Sequence, residues 1–411
     1  MDDIRGELRT WLEANWDPEL SLREWRELLV SSGWAAPSWP TEYYGLGLPA
    51  EADGILTQEL SRVGAPGTPT GVSMALAAPT LLQHGSDALK RKLLRPILTG
   101  EHTWCQLFSE PGSGSDLAGL TTHAVQSGDE WIVNGQKVWN TSAHHADYGL
   151  LVARTNWDVA KHAGITYFAM PMRQAGITVR PLRQANGYSS FNEVFMDDAR
   201  IPADHVVGEL NNGWSIATFT LAVERRNFAT FAQRPPIKGD GRAVKEAQAE
   251  ADEYFSTYVW YPQRTGRVDL LIERAKTAGR NTDPVVRQKI AKVLSMQRVM
   301  QWTAQRAVIA RAQGKPPGPE GSVAKLMASD VARAAAEVHS LIGGSSGLLA
   351  GEDAPLGGTI TEVLISVPAI SIAGGTDEIQ RNIVGERVLG LPREPEPHKD
   401  QPFRDVPRGS R

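Results

Sequence analysis

The sequence predicts a mostly α protein with a central β domain, in the chain order helices, strands, helices. Apolar residues recur at three- and four-residue spacing in the first hundred residues and again beyond Asn211. Between those regions lie short apolar runs with strand-like alternation, separated by turn residues. No helical pattern interrupts the runs, so a sheet or barrel is expected rather than alternating βαβ units.

Length and composition narrow the possibilities. A chain of 411 residues suggests two or three domains at roughly 150 residues each. The 41% of hydrophobic residues can form a large core. The net charge of −4, with no long single-sign block, argues against nucleic acid as the main partner, because phosphate binding needs clustered Lys and Arg. The single cysteine, Cys105, cannot form an intrachain disulfide, and a cytoplasmic location is expected. The opening MDDIRGELRTWLEANW lacks the apolar run of a signal peptide. The longest uncharged stretch, Val63 to Ser86, is broken by Pro66, Pro69 and Pro79, so no membrane span is expected.

Residues 1–104 read as an N-terminal helical domain, with helical spacing over Asp53–Val63 and Ala88–Leu98 and a GAPGTP turn between. Residues 105–208 read as the β domain. EWIVNGQKVWN alternates around Asn134-Gly135, which predicts a hairpin there, and YGLLVART, ITYFAMPM, GITVRPL and NEVFMDDARIP follow. Residues 209–392 read as a C-terminal helical bundle with helices over Gly213–Gln233, Pro284–Gln313, Ser322–Ile342 and Asp377–Leu389. The stretch between the first two, Arg234 to Asp283, is charged and irregular, with partial helix as the alternative. Residues 393–411 are polar and Pro-rich and are expected to be a disordered tail.

Several chemistries find no support. There is no HExxH, no Cys/His cluster and no GxxxxGK[ST]. His144-His145 is read as neighbouring strand residues on opposite faces, a poor metal site, and no metal is expected. GSGSDLAG places Leu117 where a dinucleotide fingerprint needs its third glycine.

Four segments could carry a site. In Ser109–Asp116 the small residues would let a ligand approach the backbone, whose N–H groups could cradle an anion or a polar ring edge; a plain surface loop has the same composition. Trp139 followed by Thr141 offers an aromatic face and a hydroxyl, or simply a core tryptophan. Helical spacing puts Ala217, Leu221, Glu224, Phe228 and Phe231 on one face. A carboxylate in that stripe must be paired or functional, and desolvation should raise its pKa towards the range of a general base; an ion pair with a neighbouring Arg fits equally well. Gly374-Gly375-Thr376-Asp377-Glu378 opens a helix, with Thr376 as N-cap and free N–H groups that could bind an oxygen ligand.

WCQLFSEPGSGSDLAGL, NGQKVWNTSAHHADYGLLVA and GGTDEIQRNIVGERVLGLPRE together resemble the acyl-CoA dehydrogenase family. The likeness runs from about residue 25 to 393, with GWAAPSWPTEYYGLGL and GSDALKRKLLRPILTGE fitting its N-terminal part. It implies N-terminal helices, a central β barrel, a C-terminal four-helix bundle, bound FAD, an acyl-CoA substrate and the proton and hydride removals of fatty acid β-oxidation. By residue, it implies that Gln106, Phe108, Ser109, Gly114 and Ser115 line the flavin and thioester, and that Trp139, Thr141, Thr376 and Glu378 contact the flavin. Arg225 would adjoin the substrate pocket. Electron-transfer flavoprotein is the acceptor implied.

Three departures qualify the resemblance. Where many members carry the catalytic glutamate this chain has Gly374, which could still offer its N–H to the thioester oxygen. A minority of members, the isovaleryl-CoA dehydrogenases among them, place the base on a bundle helix before an Arg, and Glu224-Arg225 matches that pattern. The family's Arg-x-x-Phe-Gly is absent from TAGRNTDPVVRQKIAKV, and its Gln-x-x-Gly-Gly reads Ser340-Leu341-Ile342-Gly343-Gly344. Both normally serve a neighbouring subunit's FAD. Their loss implies a paralogous partner chain, as in the actinobacterial α2β2 enzymes that act on steroid side chains. Two other readings keep the fold: a non-catalytic scaffold subunit, or an oxidase or flavin monooxygenase.

Overall fold

Five helices open the chain: α1 (Asp2–Asn15), α2 (Leu22–Ser31), α3 (Glu51–Val63), α4 (Ala78–His84) and α5 (Asp87–Thr99). Their starts follow local chemistry. The Ser21 hydroxyl caps α2 while Glu24 accepts from the Ser21 N–H at 2.8 Å, a reciprocal capping box. The Ser86 hydroxyl caps α5 by accepting from the Leu89 N–H at 3.2 Å, and Gly100 ends it with φ 84°, a conformation glycine adopts without strain. The helices bury Trp25, whose indole N–H donates to the Pro66 carbonyl at 2.7 Å. The computed structural model describes residues 2–227, 237–314, 318 and 320–407. They fall into two compact units, one comprising Met1–Leu182, Ser189–Thr257 and His398–Arg411, the other Arg183–Tyr188 and Tyr258–Pro397.

The first unit centres on one mixed eight-stranded sheet. Its strands are β1 (Trp104–Leu107), β2 (His123–Ser127), β3 (Glu130–Thr141), β4 (Tyr148–Arg154), β5 (Ile165–Pro171), β6 (Ile177–Leu182), β7 (Phe191–Pro202) and β8 (Val206–Val207). The order is β6-β7-β3-β2-β4-β5-β8, with β1 parallel to β4. The hairpin expected at Asn134-Gly135 is not there. The turn is Gly128-Asp129, since Ser127 pairs with Glu130. Asn134-Gly135 lies inside β3, at a register shift against β7. A Cβ at Gly135 would come within 2.4 Å of the Thr122 Oγ, so this glycine serves a bulge and a close backbone approach. The same dipeptide suits both uses.

Helices α6 (Gly213–Asn227) and α7 (Arg242–Ser256) also belong to the first unit. Ile216, Ala217 and Val223 of α6 pack in one apolar cluster with Leu150, Val152, Ile165 and Tyr167 of the sheet. Helix α7 lies in the charged stretch for which partial helix is the alternative. Its Glu250 takes two bonds from the buried Arg26 guanidinium at 2.7 and 2.8 Å, and its Glu246 accepts from the Leu22 N–H.

The second unit holds α8 (Tyr261–Arg264), α9 (Leu271–Thr277), α10 (Pro284–Ala312), α11 (Glu320–Gly343), α12 (Thr359–Ser366) and α13 (Asp377–Arg387). Val286 and Val293 of α10 pack with Val331, Ala335, Val338 and Ile342 of α11 and with Leu271 and Ala275 of α9.

The tail departs from expectation. Residues 398–407 pack on the first unit rather than standing free. Phe403 is buried, its N–H donates to the Val159 carbonyl at 2.8 Å, and its ring lies 3.6 Å from the Arg154 guanidinium. One aromatic anchor is enough to dock a polar stretch, and average composition hides it. Phe403→Ala should lower the unfolding free energy by about 3 kcal/mol, the low end for deleting a buried Phe. Urea unfolding beside an exposed-site control such as Gln401→Ala checks this.

Candidate active site

The Ser109–Asp116 loop leaves β1 through the buried Phe108. Glu110 and Ser113 exchange backbone hydrogen bonds at 3.0 Å, closing a tight turn over Pro111-Gly112. The Ser113 hydroxyl donates to the Asp116 carbonyl at 2.5 Å. Beyond that turn, Gly114 and Ser115 are exposed, and a Cβ built at Gly112 or Gly114 would meet no atom within 4 Å. The loop is held from behind by a buried ion pair. Glu110 accepts from the Thr121 N–H at 2.7 Å, from the Thr122 N–H at 2.9 Å and from the Lys137 ammonium at 2.9 Å. Burial alone would raise the Glu110 carboxyl; Lys137 and the two threonines outweigh it and hold it at about 2. Burial likewise draws the Lys137 ammonium below its ordinary value, with Glu110 opposing.

Strand β3 carries the next pair of residues. Its register against β7 shifts between Lys137 and Asn140. Lys137 and Val138 are both buried, and pairing with β7 resumes at Asn140, after Trp139, whose φ is 64°. This left-handed setting is rare for a bulky side chain and marks local strain. It turns the indole outward, 56% exposed, although both its neighbours are buried. The amide of Asn140 donates to the Gln106 carbonyl at 2.7 Å, tying β3 to β1. Thr141 is half-buried one residue on.

Helix α6 brings Glu224 to the same region. Its carboxylate lies 3.4 Å from the Gln106 side-chain amide, a long hydrogen bond. Glu224 and Arg225 are both half-buried. Ala217 and Leu221 of the expected apolar stripe are buried and half-buried; Phe228 and Phe231 lie outside the described residues. Gln106, Phe108, Ser109, Gly114, Ser115, Trp139, Thr141, Glu224 and Arg225 thus all belong to the first unit.

Gly374, Thr376 and Glu378 belong to the second unit. Gly374 and Gly375 have φ 68° and 86°. The Thr376 hydroxyl accepts from the Ile379 N–H at 3.3 Å, the cap expected, and Glu378 is exposed on the first turn of α13. Asp377 is buried between Lys325 at 3.0 Å and Arg333 at 2.5 Å, which hold its carboxyl far below the usual range.

Two findings go beyond the sequence reading. His144 and His145 lie in the turn after β3, not on a strand, with ring centroids 3.9 Å apart, so the opposite-face argument does not apply to them. Among the described residues no group of three metal-ligating side chains converges. The second is the buried pair of Lys137 and Glu110. The signal was present: period two from Trp131 and Val133 leads through Gly135 to Lys137, a lysine on the buried face of a strand.

An exposed indole face beside an open, preformed run of N–H and hydroxyl donors fits a flavin ring, which is flat, aromatic and edged with hydrogen-bonding atoms. The ion pair also has a pH signature. An unfolded carboxyl titrates near 4.3, so the Glu110 contribution to stability is complete above that value and is lost as pH falls towards 2. Acid unfolding over that window should be shallower for Glu110→Gln than for the parent, as followed by circular dichroism.

Three family models match along the chain: the acyl-CoA dehydrogenase N-terminal domain over residues 3–101, the middle domain over residues 105–199 and the C-terminal domain over residues 266–389. Acyl-CoA dehydrogenase IpdE1 of Mycobacterium tuberculosis is 31% identical, covering 96% of this chain and 98% of its own length. Acyl-CoA dehydrogenase FadE34 of the same organism is 36% identical over 89% of this chain and 46% of its own length. Among solved structures, the ChsE4-ChsE5 complex from Mycobacterium tuberculosis matches with TM-score 0.65 and 30% identity, covering 96% of this chain and 98% of that one. The Tcur3481-Tcur3483 steroid ACAD matches with TM-score 0.66 and 26% identity, over 96% and 98%. No helix among the described residues is long and apolar enough to cross a membrane. The chain therefore belongs to the acyl-CoA dehydrogenase family, as an oxidoreductase that uses FAD.

Proposed function

We propose that this chain oxidises a bulky acyl-CoA, with a steroid side chain or a branched acyl group, to the 2-enoyl-CoA, with Glu224 as the base. The α C–H bond breaks with its proton passing to the Glu224 carboxylate, the β hydrogen leaves as hydride, and the α,β double bond forms. Bound FAD supplies the hydride acceptor. The observation that carries this reading is the meeting of Glu224 with Gln106, on the strand that leads directly into the open loop. The half-buried Glu224 carboxylate accepts from the Gln106 side-chain amide at 3.4 Å, which sets it beside the entry to that loop, where a general base would have to stand.

The other roles follow the family resemblance. Gln106, Phe108, Ser109, Gly114, Ser115, Trp139 and Thr141 would hold the flavin ring, with Ser115 also towards the thioester and Arg225 at the substrate pocket. In the second unit, Thr376 and Glu378 are assigned to flavin contacts and the Gly374 N–H to the thioester oxygen, on the resemblance alone. The acyl group is inferred from relatives, one of them described as a steroid ACAD.

We also infer a paralogous partner subunit, with the enzyme cytoplasmic and electron-transfer flavoprotein as acceptor. Ser340 is exposed and too short for the glutamine it replaces. Helix α10 presents Val299, Trp302, Val308 and Ile309 to solvent, each close to half exposed or more, which is apolar surface of the kind that marks an interaction site. The ChsE4-ChsE5 relative is itself a complex.

Two measurements test these readings. Glu224→Gln should lower kcat by about a hundredfold to ten-thousandfold, the usual worth of a positioned general base, while FAD stays bound. Turnover within about tenfold of the parent, with flavin retained, would reject the assignment. Co-expression with paralogous chains should yield a mixed oligomer with fewer FADs than chains; a fully flavinylated homo-oligomer would rule the partner out.

A further inference from the structure

We propose that Glu110 and Lys137 are positioning residues for the flavin wall, fixing the spacing between the Ser109–Ser115 loop and the indole of Trp139. The inference rests on the assignment of that loop and that indole to the flavin.

The bonding pattern is specific. The Lys137 ammonium has no exposed surface and makes two bonds, both at 2.9 Å, one to the Glu110 carboxylate and one to the Phe108 carbonyl. Its own neighbour Val138 donates its N–H to the Ser109 carbonyl at 2.9 Å. Phe108 and Glu110 are therefore bonded to Lys137 and Ser109 to Val138, immediately before the strand turns Trp139 outward. On the far side of Trp139, Asn140 is fixed at both ends: its side chain donates to the Gln106 carbonyl at 2.7 Å, and its carbonyl accepts from the Asn192 amide at 2.9 Å. A tryptophan with φ 64° persists only where its surroundings determine it, and these anchors bracket it.

Stability does not account for the pair. Burying two charges is costly, and an apolar pair of similar volume often serves the fold as well or better. What an apolar pair cannot do is grip the Phe108 carbonyl. A side chain donor there sets the height of the loop above β3, and hydrogen-bond geometry tolerates little drift. Glu110 contributes by placing the ammonium, and its bonds to Thr121 and Thr122 fix the exit of the loop as well as its entry.

The test uses purified holoenzyme and reads FAD affinity, the visible spectrum of bound FAD and the thermal midpoint. Lys137→Met should weaken FAD binding by about tenfold or more and alter the flavin band, since small misplacements at a site carry large effects. The double variant Glu110→Gln, Lys137→Met removes both charges and leaves no buried ion unpaired. It should fold with a midpoint close to the parent and still show the weakened binding and altered spectrum. A double variant with the parent's affinity and spectrum would overturn the proposal, as would failure of both variants to fold, which would make the pair a folding requirement. Trp139→Ala runs beside them and should weaken FAD binding in its own right. If it binds FAD like the parent, the flavin-wall assignment itself fails; if it weakens binding while the double variant does not, only the positioning role fails.

Discussion

A lysine with no exposed surface constrains everything around it. Lys137 must keep its carboxylate and its carbonyl acceptor or strand a charge in the core, so the 108–110 segment cannot move away from β3 without a large penalty. The open loop, the outward indole and the strand leading to Gln106 are thereby parts of one rigid arrangement. Beyond Ser113 the loop opens to solvent at Gly114 and Ser115 and is caught again at Asp116, whose carboxylate meets the Lys161 ammonium at 3.1 Å.

The direction of Glu224 depends on a second buried polar group. Thr220 lies one helical turn before Glu224 on the same face of α6. Its hydroxyl meets the Thr80 hydroxyl at 2.9 Å and the Tyr167 hydroxyl at 3.1 Å, and donates back to the Ile216 carbonyl at 3.0 Å. The site is otherwise apolar, among Leu76, Leu81, Ile216 and Ala217. In such surroundings a hydroxyl network has few satisfied arrangements, so it selects one rotation of α6 against α4 and β5. A helix held only by Ile and Ala contacts could turn by several degrees at little cost. Pinned at Thr220, α6 delivers the carboxylate to the Gln106 amide.

Patterns with a fixed period were legible in the sequence. The long helices α10, α11 and α13 begin within two residues of where periodicity and capping put them, because Asp283 and Thr376 cap two of them. The same period sets Glu224 beside the buried and half-buried Ala217 and Leu221 on α6. What failed was anything set by contacts distant in sequence. Asn134-Gly135 carries the chemistry of a turn, and only the approach of Thr122 makes it a bulge. The tail looks unstructured until Arg154 is known to offer it a guanidinium face. The bounds of α7 were obscured by its charges, two of which, Glu246 and Glu250, bond to α2. Lys137 could have been found from alternation, but its partner Glu110 sits in a loop with no period to follow.

The proposed choice of base is consistent with the backbone at Gly374 as well as with the side chains. The turn before α13 runs through φ 68° at Gly374 and 86° at Gly375. It is held there by the Gln380 amide, which donates to the Gly374 carbonyl at 3.0 Å, by the Thr376 cap, and by Asp377 clamped between Lys325 and Arg333. A side chain at 374 would sit in the left-handed region, at roughly 1 kcal/mol or more in a non-glycine residue. Restoring a glutamate at this position would therefore meet a turn built for glycine. Under the proposed function the acid must then come from another position, and the half-buried carboxylate on α6 is the one that the packing of the first unit holds in place.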